Sequence, residues 1–276
     1  MSIDVLISTM NLFTNKQYND LLKNMNIKNN SVVINQCPGS DKLLNLSNDK
    51  NNRIYSYSNK GLSISRNNAI SKSKADICIL ADDDLRYNEN YQQIVLNAYE
   101  KYPEADLIAF YVSSDNPNNV KPKLSFGKVG LLKSFKIQSV QLTFRRDKIQ
   151  EKNIKFDELF GAGTELYMGE ENIFIFDCIK SGLHLYSYPV EFAKLNNRES
   201  SWFKGYDEKY FQVKSACFYR MSKFFWLFLC IQFIVRKYKI YKKDISSFKA
   251  LKNMVIGKNN YKTICSYMSI KEQKNK

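Results

Sequence analysis

The sequence predicts an α/β fold with a mostly parallel central sheet, followed by a helical extension that is both basic and apolar. Two observations predict the sheet. Short apolar runs alternate with segments of helical periodicity over roughly the first 110 residues, and the run at residues 75–81, ADICILA, has an uninterrupted apolar centre. The third observation predicts the extension, because an apolar stretch near the C-terminus is surrounded by Lys and Arg.

The strands and helices follow in order from the periodicity. The predicted strands comprise residues 3–8, 31–35, 53–58, 75–81 and 105–112. The spacing of apolar side chains in residues 15–25 predicts a helix between the first two strands, and another helix is expected after Asn88 and before Pro103. Ligands of such open sheets usually bind beyond the carboxyl ends of the strands.

A second ordered stretch follows a polar segment at residues 113–136, which predicts an irregular connection. Residues 161–169 predict a glycine-rich loop. A helix is expected from about Glu170 to Ser181, with Gly182 as its stop signal, and the strand after it is expected to end at Pro189.

Charge is concentrated in the C-terminal part of the chain. Of the 276 residues, 42 are Lys or Arg and 27 are Asp or Glu, a formal net charge of +15. Residues 199–276 hold 17 of the basic and 5 of the acidic residues, so +12 belongs to this tail and +3 to the rest. This balance favours anionic partners such as membrane lipid, nucleic acid or phosphorylated substrates.

Cysteine and histidine usage argues against several classes of site. The six cysteines include no CxxC pair, so neither a disulfide framework nor a zinc site is indicated. The single histidine, His184, would have to serve any Ser-His-Asp or Cys-His mechanism alone. No apolar run of about 20 residues is present, and the start MSIDVLISTMN lacks the basic region of a signal peptide, so we expect a cytoplasmic protein.

Three consecutive aspartates, Asp82, Asp83 and Asp84, follow the fourth predicted strand. Neighbouring carboxylates repel one another and are costly to bury unless a cation meets them. Acidic residues are also common in solvated turns. At the ligand-binding end of a sheet, however, the cluster favours a site for Mg²⁺ or Mn²⁺ that phosphates and water complete.

Two weaker signals flank the aspartates. Arg66 lies on a short predicted helix within GLSISRNNAISKSKAD, and its guanidinium suits a phosphate group. Glu170 and Glu171 open the later helix after the loop GAGTELYMG, where a carboxylate is placed to meet a substrate hydroxyl. The helix dipole alone accounts for one of these two glutamates.

These motifs resemble the glycosyltransferases of family 2, which have the GT-A fold, Rossmann-like and specific for nucleotide diphosphate sugars. The resemblance covers about residues 1–205 and is carried by ISTMN, by GLSISRNNAISKSKADICILADDDL with its DxD motif, and by GAGTELYMGEENIFIFDCIKSGLHLYSYP. It implies a catalytic domain at residues 1–205 and an extension at residues 206–276 that associates with the membrane or lies on the acceptor side.

The resemblance also implies roles for individual residues. Thr9, Asn11 and Gln36 match positions that meet the nucleobase and ribose, while Arg66 matches the basic residue near the pyrophosphate. Asp84 and Asp82 match the metal ligands, and Asp83 belongs with them at the donor site. Glu171 matches the general base, with Glu170 as the alternative, and Arg198 is expected to close over the diphosphate.

The function that this resemblance implies is a metal-dependent, inverting transfer of a hexosyl or N-acetylhexosaminyl group in bacterial surface polysaccharide synthesis. The donor is a nucleotide sugar, expected to be a UDP-sugar, and the acceptor a glycan or a lipid-linked saccharide. We expect Mn²⁺ or Mg²⁺ as cofactor and no nucleic-acid partner. A basic nucleic-acid-binding protein and an inactive GT-A scaffold at the membrane are the alternatives.

The apolar run at residues 224–235 is too short to span a bilayer as a helix. It fits a helix buried against the rest of the protein. It also fits an interfacial helix whose apolar side chains enter the lipid boundary while flanking Lys and Arg meet anionic head groups. The second interpretation places the protein at the inner face of the cell membrane.

Overall fold

The computed structural model describes residues 1–28, 30–39, 51–116, 124–196 and 205–274, with side chains described as far as residue 270. The chain divides into two compact units. The first unit comprises Met1–Glu158 and Phe174–Glu199, and the second comprises Leu159–Ile173 and Ser200–Lys276. Each unit therefore contains two separate stretches of the chain.

The first unit is built on one sheet. Its strands are β1 (Ile3–Met10), β2 (Ser31–Gln36), β3 (Asn52–Tyr57), β4 (Ile77–Asp82), β5 (Leu85–Tyr87), β6 (Leu107–Ser114), β7 (Gly127–Lys128), β8 (Leu142–Arg145) and β9 (Leu185–Leu195). Their order is β3-β2-β1-β4-β8-β6-β9-β5, and β7 pairs with β9.

Most of the paired residues in this sheet lie in parallel ladders, as predicted. Strands β3, β2, β1 and β4 are all parallel, and so are β6 and β9. Strand β8 runs antiparallel between β4 and β6, and β5 and β7 pair antiparallel with β9. The parallel strands bring the carboxyl ends of β1 and β4 to the same edge of the sheet.

Helices cover both faces of the sheet. The helices with residues in this unit are α1 (Asn15–Asn24), α2 (Leu62–Lys72), α3 (Tyr91–Lys101), α4 (Leu131–Ser134), α5 (Arg146–Glu151) and α6 (Glu170–Lys180), of which α6 begins in the second unit. Ile79 of β4 packs in one apolar cluster with α1 and α3, whereas Leu80 packs in another with α2 and α6. This burial on both faces explains the uninterrupted apolar sequence of β4.

The prediction that the last strand ends at Pro189 is wrong, because β9 continues to Leu195. The ladder with β6 passes from Phe110–Tyr188 to Tyr111–Glu191, so Pro189 and Val190 lie in an irregularity of the register. A proline lacks a backbone N–H and is tolerated in a strand where the hydrogen-bond ladder is interrupted.

Three helices make up most of the second unit: α7 (Glu208–Met221), α8 (Trp226–Tyr241) and α9 (Ser247–Lys274). The hydroxyl of Ser215 on α7 links all three, since it accepts a hydrogen bond from Trp226 Nε1 (2.8 Å) and donates one to the Met254 carbonyl (2.5 Å). The predicted helical extension is therefore present. Within the described part of the chain, none of the helices combines the length and the apolar character that crossing a membrane requires.

Candidate active site

Asp82 is the last residue of β4, and Asp83 and Asp84 form the turn between β4 and β5; we call these three residues the aspartate turn. Ser8 of β1 pairs with Asp82 in the parallel ladder, so the turn lies beside the end of β1. The hydroxyl of Thr9 donates a hydrogen bond to Asp83 Oδ2 at 2.8 Å. The structure therefore brings Thr9 and the aspartates together, and all three aspartates are half-buried.

Arg66 lies beneath this turn and neutralises one of the carboxylates. Its side chain donates to Asp82 Oδ1 (3.1 Å) and to the hydroxyl of Ser139 (2.8 Å), and only 2% of the residue is exposed. The guanidinium carbon lies 5.4 Å from the centre of the Phe156 ring. Arg66 thus holds Asp82 in place, while its predicted contact with a pyrophosphate stays a prediction.

A cavity of about 560 Å³ opens beside the other two aspartates. Its lining is mostly polar and combines the ends of β1 and β4 with one face of α1. The lining residues are Thr9, Met10, Leu12, Gln17, Asp20, Leu21, Asn24, Asp83, Asp84, Arg86 and Asn196. The backbone of Asp84 is fixed there, since its carbonyl accepts a hydrogen bond from the Asn196 N–H at 2.8 Å.

Gln36 and Asn11 lie at the ends of β2 and β1. Asn11 has a positive φ of 59°, and its N–H donates to the Gln36 carbonyl at 3.0 Å. The side-chain amide of Gln36 is buried and exchanges two hydrogen bonds with the backbone of Gly61, at 3.2 and 3.3 Å. Gln36 therefore fixes the residue at which α2 begins.

Asn35 is a site-supporting residue that the sequence analysis missed. Its fully buried amide donates to the Leu12 carbonyl (2.9 Å) and accepts from the Leu12 N–H (3.0 Å). These two bonds hold the loop that follows β1. The signal was present in the sequence, because a polar side chain within the apolar run SVVINQ needs a specific partner.

The aspartate turn fits a divalent ion that substrate oxygens help to hold. In the described residues, no group of three His, Cys, Asp or Glu side chains could hold a metal by itself. Mg²⁺ is usually bound by one or two carboxylates together with substrate phosphates and water, and Mn²⁺ accepts the same oxygen ligands. Asp84 lines the cavity, and Asp82 lies beside it paired with Arg66; their assignment as metal ligands stays a prediction.

Glu170 and Glu171 form the first turn of α6 and belong to the second unit. Glu170 is buried, with 6% exposure, whereas Glu171 is half-buried. Gly169, which precedes them, adopts a φ of +95°, a conformation that favours glycine. The greater exposure of Glu171 favours it over Glu170 for contact with a substrate. Arg198, the last predicted site residue, lies outside the described residues.

Comparison with known proteins decides the family of the N-terminal part of the chain. The model of the family "Glycosyl transferase family 2" matches residues 32–165, a range that contains Gln36, Arg66 and the three aspartates. Residues 32–165 belong to glycosyl transferase family 2. This match confirms the resemblance seen in the motifs and supports the predicted class of enzyme, a glycosyltransferase. No curated protein sequence matches the chain significantly.

Solved structures of S. aureus TarS share the fold of this chain. The complex of TarS residues 1–349 with UDP-GlcNAc superposes with a TM-score of 0.66 at 12% identity, covering 95% of this chain and 80% of that one. TarS 1–349 alone gives 0.63 at 14% identity, covering 93% and 81%. A longer TarS structure gives 0.57 at 15% identity, covering 79% and 39%. The predicted GT-A fold is confirmed.

Proposed function

We propose that this protein is a metal-dependent inverting glycosyltransferase that moves a sugar from a UDP-sugar to a hydroxyl of a glycan or lipid-linked acceptor. The observation that carries the proposal is the aspartate turn at the carboxyl end of β4, beside a polar cavity, within a family 2 domain. The likeness to the TarS complex with UDP-GlcNAc supports a UDP-sugar as donor and a hexosyl or N-acetylhexosaminyl group as the group that is transferred.

On the donor side, we assign Asp84 and Asp82 to hold Mn²⁺ or Mg²⁺ together with the donor's phosphates. When bound, the ion neutralises charge that grows on the departing diphosphate, a contribution of several kcal/mol. Arg66 keeps the Asp82 carboxylate in place from below. Thr9, Asn11 and Gln36 form the nucleobase and ribose end of the site, where Asn35 fixes the loop after β1.

On the acceptor side, Glu171 is the general base. Its carboxylate takes the proton of the acceptor hydroxyl while that oxygen forms a bond to the anomeric carbon of the sugar. The bond between the anomeric carbon and the diphosphate oxygen breaks with its electron pair, and UDP leaves. One displacement of this kind inverts the anomeric configuration through an oxocarbenium-like transition state. A positioned base contributes about 10²- to 10⁴-fold to the rate.

We further propose that the enzyme is a peripheral protein of the inner face of the cell membrane and binds there through its C-terminal helices. One face of α8 is buried in the bundle through Trp226, Leu229 and Phe233, whereas apolar side chains on the opposite face are exposed. We call these exposed side chains, together with those of the two residues directly before the helix, the outer face of α8; they are Phe224 and Phe225 before the helix and Leu227, Phe228, Ile231 and Val235 on it.

The charges beside the outer face fit an anionic surface. Arg236, Lys239, Lys242 and Lys243 are exposed next to it. Partial burial, together with the nearby cations Arg236 and Lys214, lowers the pKa of Lys237. Cations that are crowded in this way are stabilised by anionic head groups, while the apolar side chains enter the lipid boundary. Placement at the membrane suits a lipid-linked acceptor in surface polysaccharide synthesis.

Release of UDP from a panel of UDP-sugars, with and without Mn²⁺ or Mg²⁺, tests the enzymatic proposal. We expect metal-dependent release with one donor, and Asp84→Asn is expected to lower it by at least about 100-fold, because a metal ligand is lost. Asp147→Asn, a change of the same type at an exposed position in the first turn of α5, serves as control and keeps full activity.

Three outcomes would contradict the proposal. Metal-independent release that survives Asp84→Asn rejects the assigned metal site. Nucleotide binding without turnover across a broad acceptor screen indicates an inactive scaffold. Tight, salt-sensitive binding of RNA without binding of any nucleotide sugar indicates a nucleic-acid-binding protein instead.

A further inference from the structure

The loop that carries the candidate general base is packed on α7. Gly169 lies directly before Glu170, and its carbonyl accepts the N–H of Ile173 in the first turn of α6 (3.0 Å). The same carbonyl lies 3.7 Å from the thiol of Cys217 on α7, a sulfur hydrogen bond. Cys217 therefore contacts the backbone from which Glu170 and Glu171 extend.

The contact between Gly169 and Cys217 leaves no room for a side chain. A Cβ atom on Gly169 would lie 2.7 Å from Cys217 Sγ and 3.1 Å from Cys217 Cβ. The positive φ of Gly169, +95°, is also a conformation that other residues rarely adopt. Two independent features thus require glycine at the position before the candidate base.

Cys217 is suited to packing and not to chemistry. It is fully buried, and this desolvation raises the pKa of its thiol to about 12. The carboxylates of Glu171 and Glu170 also raise the pKa of the thiol, whereas the cation of Lys214 lowers it. A thiol with such a pKa stays protonated at neutral pH and can donate to the Gly169 carbonyl.

Helix α7 is in turn fixed by the other C-terminal helices. Two residues before Cys217, the Ser215 hydroxyl bonds to both α8 and α9. Gln212 on α7 donates to Asn253 of α9 at 2.8 Å. The loop before Gly169 packs on the same helices, since the Phe160 ring lies 5.5 Å from the Tyr261 ring of α9.

We propose that Cys217 is a positioning residue, which sets the location of the Glu171 carboxylate through the backbone of Gly169. The proposal rests on the proposed function, because it assigns Glu171 as the base. It makes the C-terminal helices part of the catalytic machinery in addition to their membrane role. Small misplacements of a catalytic group cost about 100-fold in rate, so a single packing contact is sufficient for this effect.

Three variants test the proposal in the full-length protein: Gly169→Ala, the double variant Gly169→Ala/Cys217→Ala, and the control double variant Gly169→Ala/Cys230→Ala. Cys230 is a buried cysteine of the same helical bundle, on α8. We expect Gly169→Ala to lower kcat by about 10- to 100-fold while the KM for the donor and the affinity for UDP stay within about twofold of the wild type. Removing the Cys217 sulfur relieves the 2.7 Å clash with the methyl group, whereas the strain at φ +95° and the 3.1 Å approach to the Cβ atom of residue 217 remain. We therefore expect the first double variant to recover part of the lost kcat and the control double variant to recover none.

Each result has one interpretation. If Gly169→Ala keeps the kcat of the wild type, or if both double variants behave alike, Cys217 does not position the base. A parallel loss of kcat and UDP affinity in Gly169→Ala indicates general unfolding and also overturns the proposal. If the wild-type protein turns over no UDP-sugar, or if Glu171→Gln stays fully active, the proposed function itself fails, so the two failures are distinguishable.

Discussion

At the scale of single residues, the aspartate turn is stable because the protein compensates part of its charge. Three adjacent carboxylates would repel one another, yet Asp82 is paired with Arg66 and Asp83 accepts a hydrogen bond from Thr9. Asp84 lines the polar cavity, and its backbone carbonyl accepts a hydrogen bond from Asn196. The triplet is therefore three different groups with three environments. The sequence alone does not distinguish the environments of the three carboxylates.

Arg66 is the residue on which this arrangement depends most. Both contacts, to Asp82 and to Ser139, come from one guanidinium nitrogen, Nη2. The planar guanidinium fixes that nitrogen between its two partners, and a lysine ammonium on its flexible stem does not reproduce this position. We expect Arg66→Lys to lower the free energy of unfolding by about 1–2 kcal/mol, mostly through the buried contacts, because 37% of the Asp82 side chain is accessible and water screens the ion pair. Urea denaturation measures the change.

Arg236→Lys is the matched control for this measurement, since Arg236 is exposed on α8. We expect its free energy of unfolding to stay within about 0.5 kcal/mol of the wild type. Equal stability of the Arg66→Lys variant and the wild type would show that the guanidinium of Arg66 makes no contribution that an ammonium cannot replace.

At the scale of elements, the strands were predictable and the site-bearing loops only in part. The bounds of β1 to β4 lie within about two residues of those predicted, because apolar runs and turn residues determine them locally. The extension of β9 past Pro189 was not predictable, since it depends on pairing with β6, whose sequence lies about 80 residues earlier. The roles of Asn35 and Cys217 depend on contacts of the same long-range kind.

Gly257 carries a prediction at this scale. It lies on α9 where that helix crosses α7, and a Cβ atom there would lie 2.1 Å from the carbonyl oxygen of Gln212. Because a backbone carbonyl cannot move away cheaply, we expect Gly257→Ala to destabilise the bundle by about 3 kcal/mol, the upper end of the range for overpacking. Thermal unfolding followed by circular dichroism measures this loss.

The comparison variant is Gly130→Ala, whose new methyl group would meet open space at an ordinary φ of −81°. Its effect should stay within about 1 kcal/mol. If Gly257→Ala and Gly130→Ala unfold at the same temperature, α7 and α9 can move apart at that contact without a loss of stability.

At the scale of the whole molecule, the excess positive charge and a large exposed apolar surface lie in the same C-terminal part of the chain. The tail from residue 199 carries +12 of the net +15, and the same tail contains the outer face of α8, where Phe224 is 88% and Val235 71% exposed. The buried interpretation of the apolar run at residues 224–235 holds for one face of α8, the other face is exposed, and the interfacial interpretation of that exposed face stays a proposal. A sequence pattern that is apolar on all sides does not separate these two faces.

Binding to lipid vesicles tests the membrane role of this surface. We expect the protein to sediment with vesicles rich in phosphatidylglycerol, with binding that weakens as salt screens the cations. The double variant Phe224→Ser/Phe228→Ser should lower the partition coefficient by about 10- to 30-fold, because two aromatic side chains no longer enter the lipid boundary.

Phe126→Ser/Leu132→Ser is the control for this loss, since both residues are exposed apolar side chains of the first unit. Its partition coefficient should equal that of the wild type. If the two double variants lose the same fraction of vesicle binding, or if the wild-type protein does not bind anionic vesicles, α8 is rejected as the membrane-binding surface.

The interleaving of the two units has a consequence for how the protein is made. Residues 159–173, which include Glu171, belong with helices that the ribosome produces last. While a nascent chain still lacks α7 and α9, Cys217 and Tyr261 are absent, and the segment before α6 lacks its contacts with these two residues. Domains generally fold as units during synthesis. The aspartate turn can therefore fold early in translation. The segment that carries Glu171 gains its contacts with α7 and α9 only after α9 has left the ribosome.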